Sequence, residues 1–267
     1  MTTDSQETAY HVTSAAGFRG MLDGFCFHLT DTRCTADSGE FLLAYNMLLE
    51  FTGAKAPEWP PIGLTYKEPG VEQLERAFMM SFTKHLTHDF QWQMYADHGK
   101  GFALEFNAEQ LSKLFDRGEH PYDEPVRYLE DLVYERQEQE ELIEEFIMEC
   151  GINEGDAESV SDFRSNYPQH MGRLLDLSSR FKGGYYKAEH ESRLVQWIFP
   201  EEVEEEGVIH SKERGGLHVN YLNLGLGKRW FSSALTRVVV GHRYPYNLDV
   251  ISDYLRSRGL GVPVEQA

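Results

Sequence analysis

The chain switches between two spacings of apolar residues. Segments with an apolar residue at every second position are typical of strands, and apolar residues three or four positions apart are typical of helices. Alternation predicts strands at residues 10–14, 25–29, 79–83, 102–106, 126–129, 191–199, 217–222 and 236–240. Helical spacing predicts a helix capped by Ser14 and further helices around residues 41–49, 74–78, 131–150, 171–177 and 247–258.

The order of these elements predicts one α+β domain spanning residues 1–267. No internal repeat or low-complexity linker divides the chain. An acidic helical block at about residues 131–180 lies between two strand-rich halves, which favours an insertion into the sheet domain. Its glutamates, and the acidic run at 201–206, are interpreted as solvated surface and loop.

The segment WQMYADHGKGFALEF, residues 92–106, combines two aromatic residues with a glycine-containing turn and a strand. Trp92 and Tyr95 are three residues apart, so they lie on one face of a helical turn. Gly99 and Gly101 allow a tight reversal into a strand that carries Glu105. Such an aromatic wall can stack on a flat ring, although packing in the core explains the same residues.

A second segment, KAEHESRLV at residues 187–195, places three charged residues at a spacing of two. On a strand, Glu189, Glu191 and Arg193 point the same way. Arg193 would then hold one glutamate ionised and fix its orientation. A fixed carboxylate can stabilise an oxocarbenium-like transition state. The alternative is a surface strand with solvated charges.

Two further groups of polar residues could carry chemistry. His11 and Thr13 lie at a strand-to-helix junction and could hydrogen-bond a ligand hydroxyl, unless His11 is structural. Asp31, Asp37 and Glu40 could share a loop and bind a divalent metal, although turn residues explain them equally well. No zinc, P-loop, dinucleotide or GxSxG pattern is present, so no metal site is predicted.

The bulk composition limits the function classes. A net charge of −19 argues against nucleic-acid binding by phosphate neutralisation. Three cysteines without CxxC spacing favour a reducing compartment. The polar start lacks a signal peptide, and no stretch is apolar enough for a membrane helix, so a cytoplasmic protein without a membrane partner is expected. Oligomeric state is left open.

Several segments together resemble a large bacterial family of unknown function. They are YHVTS (10–14), FHLTDTR (27–33), DSGE (37–40), SFT (81–83), WQMYADHGKGFALEF (92–106) and EHESR (189–193). Their order is similar to that of the ADP-ribosyltransferase superfamily, especially its diphtheria-toxin-like His-Tyr-Glu branch. The resemblance implies a split mixed β-sheet with flanking helices that grips NAD in a bent pose.

The resemblance also implies residue roles. His11, within the strand that includes Tyr10 and Thr13, would hold the adenine-side ribose. Tyr95, with Trp92 behind it, would stack on nicotinamide. Glu191 or Glu189, with Arg193, would contact the nicotinamide ribose.

The expected function is therefore an NAD-consuming ADP-ribosyltransferase or NAD glycohydrolase with an unknown macromolecular acceptor. A toxin or phage-defence role would suit such an activity. The alternatives are a catalytically inactive nucleotide-binding or sensor module of the same fold, and a metal-dependent hydrolase or nuclease.

Overall fold

The computed structural model describes residues 7–35, 39–53, 76–86, 89–115, 127–153, 155–156, 163, 165–198, 209–214 and 217–267. The strands are β1 Thr8–Thr13, β2 Cys26–Asp31, β3 Arg76–Thr83, β4 Phe102–Asn107, β5 Arg127–Asp131, β6 Glu191–Ile198, β7 Ile209–Arg214, β8 Leu217–Gly225, β9 Leu235–Val240 and β10 Val264–Gln266. The helices are α1 Ala15–Gly24, α2 Leu43–Phe51, α3 Asp89–Tyr95, α4 Ala108–Phe115, α5 Arg136–Cys150, α6 Met171–Arg180, α7 Gly227–Ala234 and α8 Leu248–Ser257.

The described strands form one open sheet, in the order β10-β9-β4-β1-β3-β2-β8-β7, with β6 paired to β3 and β5 paired to β6. All described strand pairs are antiparallel except β9–β10, which is parallel. The prediction of a mixed α and β fold is thereby confirmed, with a sheet that is mostly antiparallel.

The sheet divides at β3. One edge of β3 pairs with β6 along its whole length, from Arg76 to Thr83. The other edge is shared, because β1 pairs with it at Thr83 and β2 pairs with it at Phe78 and Met79. We call the opening between β1 and β2 along residues 80–82 the fork. Backbone groups at the fork lack a strand partner among the described strands and need other hydrogen-bond partners.

Two of the apolar clusters among the described residues are large. The larger lies on one face of the sheet and includes Phe27, Phe78, Phe106 and Phe231. The second joins α5 and α6 to α2, through residues that include Ala44, Phe146, Leu174 and Phe181. The helical block predicted at residues 131–180 therefore shares its apolar core with an earlier helix of the chain.

Two local predictions near the start of the sheet can be compared directly, one of them confirmed and the other wrong. Ser14 caps α1 by accepting a hydrogen bond from the backbone N–H of Gly17. The helix expected around residues 74–78 is wrong at Phe78, which is buried in β3. A short apolar run fits a helix or a strand equally well. Here the pairing with β6 makes Phe78 part of a strand. Leu74, Asp37 and the acidic run 201–206 lie outside the described residues.

The glycine-containing turn before β4 is built by close backbone contacts. The backbone N–H of Gly101 donates to the carbonyl of Ala96 at 2.7 Å. A Cβ at Gly101 would lie 2.3 Å from the carbonyl oxygen of Thr13. The turn therefore requires glycine at residue 101 for space.

Gly101→Ala is expected to lower the free energy of unfolding by about 1–3 kcal/mol, because the new methyl group forces backbone apart. Urea denaturation of the variant and the wild type measures the difference. Gly225→Ala is the matched control, since a Cβ there meets nothing within 4 Å. Equal destabilisation by the two changes would show that the close contact with Thr13 is unimportant.

Candidate active site

Five charged side chains are buried together beside β6 and form what we call the charge cluster. Its members are Glu40 before α2, Lys182 after α6, Glu189 in a 3₁₀ turn, and Glu191 and Arg193 in β6. The cluster thus contains three carboxylates and two cations, and each of the five residues keeps 9% or less of its surface exposed. Burying so many charges is costly, and mutual pairing offsets the cost.

Glu191 is the most completely bonded carboxylate of the cluster. Its Oε1 accepts from the Ser81 hydroxyl at 2.5 Å and from Nε of Arg193 at 2.8 Å. Its Oε2 accepts from Nζ of Lys182 at 2.5 Å. Burial alone would raise the pKa of Glu191, but Arg193 and Lys182 lower it to about 2. Glu191 is therefore ionised and fixed in orientation at neutral pH.

The two cations also bind Glu40 and so connect α2 with the sheet. Arg193 donates to Oε2 of Glu40, and Nζ of Lys182 lies 3.4 Å from Oε1 of the same residue. Burial raises the pKa of Glu40, although Arg193 and Lys182 act in the opposite direction. Nη1 of Arg193 is buried without a hydrogen-bond partner. The cluster is therefore a shared network rather than a set of isolated pairs.

Glu189 does not lie on β6 as the spacing predicted. It ends a 3₁₀ turn, and His190 after it has a φ of 44°, a left-handed conformation. The carbonyl oxygen of Glu189 accepts hydrogen bonds from Thr83 Oγ1 at 2.8 Å and from Gln91 Nε2 at 3.2 Å. Nζ of Lys182 lies 2.7 Å from its carboxylate. The turn therefore brings Glu189 to the cluster although the strand prediction was wrong for this residue.

Tyrosine side chains stand beside the charge cluster, among them Tyr134 and Tyr95. The Tyr134 hydroxyl accepts from the backbone N–H of Glu191 at 2.9 Å. Tyr95, at the end of α3, is 44% exposed. Burial and the nearby carboxylate of Glu189 raise the pKa of Tyr95 to about 12. Both phenols therefore stay protonated at neutral pH, and Tyr95 is the more exposed of the two.

Trp92 does not provide a second stacking surface. Its side chain is 4% exposed and packs with Ala96, Ala103 and Val239. Its indole N–H donates to the carbonyl of Leu86 at 3.4 Å. Because α3 lies against the sheet through this residue, the structure makes Trp92 a packing residue and leaves Tyr95 to face outward.

His11 fills the fork. Its Nδ1 lies 2.9 Å from the carbonyl oxygen of Ser81, and its ring centroid is 5.8 Å from that of Phe82. Burial lowers the pKa of His11 to about 4, although the hydrogen bond to Ser81 acts in the opposite direction. The neutral imidazole thus donates to a carbonyl that lacks a strand partner among the described strands. Ser81 links His11, through its carbonyl, to Glu191, through its hydroxyl.

The strand register separates His11 from the charge cluster. Tyr10, Thr83 and Glu191 pair in one row across β1, β3 and β6, so their side chains share one face of the sheet. His11 and Thr13 alternate with Tyr10 and therefore point to the opposite face. The implied roles would have His11 and Glu191 contact one NAD, whereas the register places the two side chains on opposite faces of the sheet. Among the described residues, Ser81 hydrogen-bonds both of them.

Tyr10 shares the face of Glu191 but belongs to a different network. Its hydroxyl accepts from Nη2 of Arg237 at 3.0 Å. Arg237 also donates from Nε to Glu105 at 2.8 Å and from Nη1 to Glu265 at 2.7 Å. Tyr10 is thus occupied by an ion-pair network between β4, β9 and β10, away from the charge cluster.

Of the residues considered for a metal site, Asp31 and Glu40 are paired with arginines, and Asp37 lies outside the described residues. Asp31 lies 2.8 Å from Arg33 and 2.5 Å from Arg76, while Glu40 binds Arg193. Within the described ranges, no three His, Cys, Asp or Glu side chains are grouped so that they could hold a metal.

No described helix is long and apolar enough to cross a bilayer.

Sequence reasoning did not identify Lys182, Ser81 or Tyr134 as site residues. Ser81 lies in the SFT segment. Lys182 and Tyr134 come from the helical block and its flanks, which were interpreted as an insertion. Ser81 and Tyr134 reach Glu191 from distant segments, and Lys182 meets Glu189 and Glu191 because the 3₁₀ turn between them brings the chain back.

Comparison with known proteins adds one family. No curated protein and no solved structure gives a match to this chain. Residues 91–194, which run from α3 to β6 and contain Tyr95, Lys182, Glu189 and Glu191, match the family described as protein of unknown function DUF2971.

Proposed function

We propose that this protein cleaves the bond between nicotinamide and ribose in NAD and transfers ADP-ribose to a macromolecule or to water. The observation that carries the proposal is the ionised carboxylate of Glu191. Lys182, Arg193 and Ser81 fix it beside Glu189 and the exposed phenol of Tyr95. The order of the segments around His11, Tyr95 and Glu191 resembles the ADP-ribosyltransferase superfamily.

The charge cluster suits a reaction that builds positive charge on a sugar. When the C1′–N bond breaks, nicotinamide leaves as a neutral molecule with the bonding electrons, and the ribose C1′ becomes oxocarbenium-like. Carboxylates already oriented near that centre stabilise it without reorganising. The acceptor oxygen or nitrogen, or water, then attacks C1′ and loses its proton to solvent. Tyr95 is placed to stack on or hydrogen-bond the ligand.

A second candidate is a catalytically inactive module of the same fold that binds a nucleotide. The observation in its favour is that both oxygens of Glu191 already accept hydrogen bonds from the protein. Such a module would bind NAD without cleaving it.

Incubation of the purified protein with NAD tests the proposal, with free nicotinamide measured by chromatography. We expect nicotinamide release, and loss of release in the double variant Glu189→Gln/Glu191→Gln. NAD at about 100 times its dissociation constant should add about 2.7 kcal/mol of stability. Stabilisation without nicotinamide release would favour the inactive module. If NAD neither stabilised the protein nor was cleaved to nicotinamide, both candidate functions would be overturned.

A further inference from the structure

The structure points to a division of labour between the two glutamates, which rests on the proposed function. We propose that Glu189 contacts the ligand, as hydrogen-bond acceptor for a sugar hydroxyl, and that Glu191 is a positioning residue. The two carboxylates differ in the hydrogen bonds that the protein already makes to them.

Glu191 has little capacity left for a ligand. Ser81, Arg193 and Lys182 supply donors to both of its oxygens, and its exposed fraction is 6%. A ligand hydroxyl would have to displace a charged donor from a buried site, which is costly. The Tyr134 hydroxyl additionally holds its backbone N–H.

Glu189 has the opposite properties. Among the described residues, Lys182 is its only carboxylate partner, through Oε2 at 2.7 Å. Its Oε1 accepts no hydrogen bond from a described residue. The bonds from Thr83 and Gln91 to its carbonyl fix its backbone. Glu189 thus combines a rigid backbone with an available acceptor atom.

Tyr95 indicates the side from which a ligand reaches Glu189. It is 44% exposed, and Glu189 is the carboxylate with the largest electrostatic effect on its phenol. A protonated phenol donates and a carboxylate accepts, so together they suit a hydroxyl-bearing ring such as ribose. Lys182 lies 2.7 Å from Glu189 and 2.5 Å from Glu191, so it transmits the position of the second glutamate to the first.

Two single variants separate the roles. Glu189→Gln should reduce nicotinamide release by about 10²–10³-fold, the cost of losing one oriented group at the developing charge. Its melting temperature should stay close to that of the wild type, because Lys182 keeps the carboxylates of Glu40 and Glu191 as partners. Glu191→Gln should lower the melting temperature clearly. Glu140→Gln, on the exposed face of α5, is the matched control for both measurements.

The split between kcat and KM gives a readout that a purely structural role would not change. Glu191→Gln alters the position of Lys182 and, through it, that of Glu189, so the folded variant should lower kcat more than it raises KM. An unchanged kcat in folded Glu191→Gln, or full turnover by Glu189→Gln, would overturn the division.

The melting temperatures test the division even without turnover. If the wild type neither binds nor cleaves NAD, the proposed function fails. The stability order of the two variants then still decides which glutamate is structural. Equal melting temperatures for Glu189→Gln and Glu191→Gln would overturn the assignment on their own.

Discussion

Arg193→Met is expected to lower the free energy of unfolding by about 3–5 kcal/mol, as is usual when one partner of a buried ion pair is removed. Arg193 is 2% exposed and bonds both Glu191 and Glu40. Methionine leaves these two buried carboxylates with Lys182 as their remaining cation in the cluster. Denaturant unfolding at pH 7 measures the loss.

Arg136→Met is the matched control for this substitution. Arg136 also contacts two carboxylates, those of Glu50 at 2.9 Å and Glu140 at 2.6 Å, but its side chain is 54% exposed. Solvent screens such pairs, so the expected cost is below about 1 kcal/mol. Similar losses in the two variants would mean that the charge cluster does not behave as a buried network.

A double variant shows whether the cost belongs to the network or to lost packing. Substitutions within one ion-pair network do not have additive effects on the free energy of unfolding, and the coupling between them is commonly about 0.5–3 kcal/mol. Adding Glu191→Gln to Arg193→Met removes one of the stranded charges. The double variant should therefore lose less stability than the sum of the two single variants. Strict additivity would place the cost in packing around Phe41, whose ring lies 5.4 Å from the guanidinium of Arg193.

The sequence predicted the strands at the centre of the sheet because their alternation is strong. It also predicted that Arg193 would accompany a glutamate, and the ion pair with Glu191 has this geometry. It could not predict that β1 and β2 share one edge of β3, since register is set by pairing between distant segments. That arrangement determines which face of the sheet each side chain lies on, and it places His11 on the face opposite to Glu191.

The same reasoning explains why Trp92 and Tyr95 differ. A spacing of three places them on one side of α3, which the sequence shows. Which of them is buried depends on how α3 lies on the sheet, which the spacing alone does not show. Lys182 is a further case, because its partner Glu40 comes from a segment far from it in the chain, although Glu189 and Glu191 follow it closely. A residue of this kind is identified only once the cores are assembled.

Acidification from pH 6.5 to pH 4 is expected to cost the protein about 3 kcal/mol of stability through His11 alone, the equivalent of its pKa difference between unfolded and folded states. The folded-state pKa is about 4 and the ordinary value is 6.5. The unfolded chain therefore binds the proton first, and stability falls as the pH falls through this window. Above pH 6.5 the contribution is fully present.

His11→Gln isolates this contribution, because an amide can still donate to the Ser81 carbonyl but does not titrate. The free energy of unfolding, measured by denaturant titration at half-unit steps from pH 7 to pH 4, should fall less steeply in His11→Gln than in the wild type. His28, whose pKa burial and Lys212 also lower to about 4, contributes equally to both proteins and cancels in the difference. Exposed His218→Gln is the matched control for replacing a histidine. If His11→Gln and the wild type showed the same slope, then His11 would not be held neutral at the fork, and the link from β1 through Ser81 to Glu191 would lose its first member.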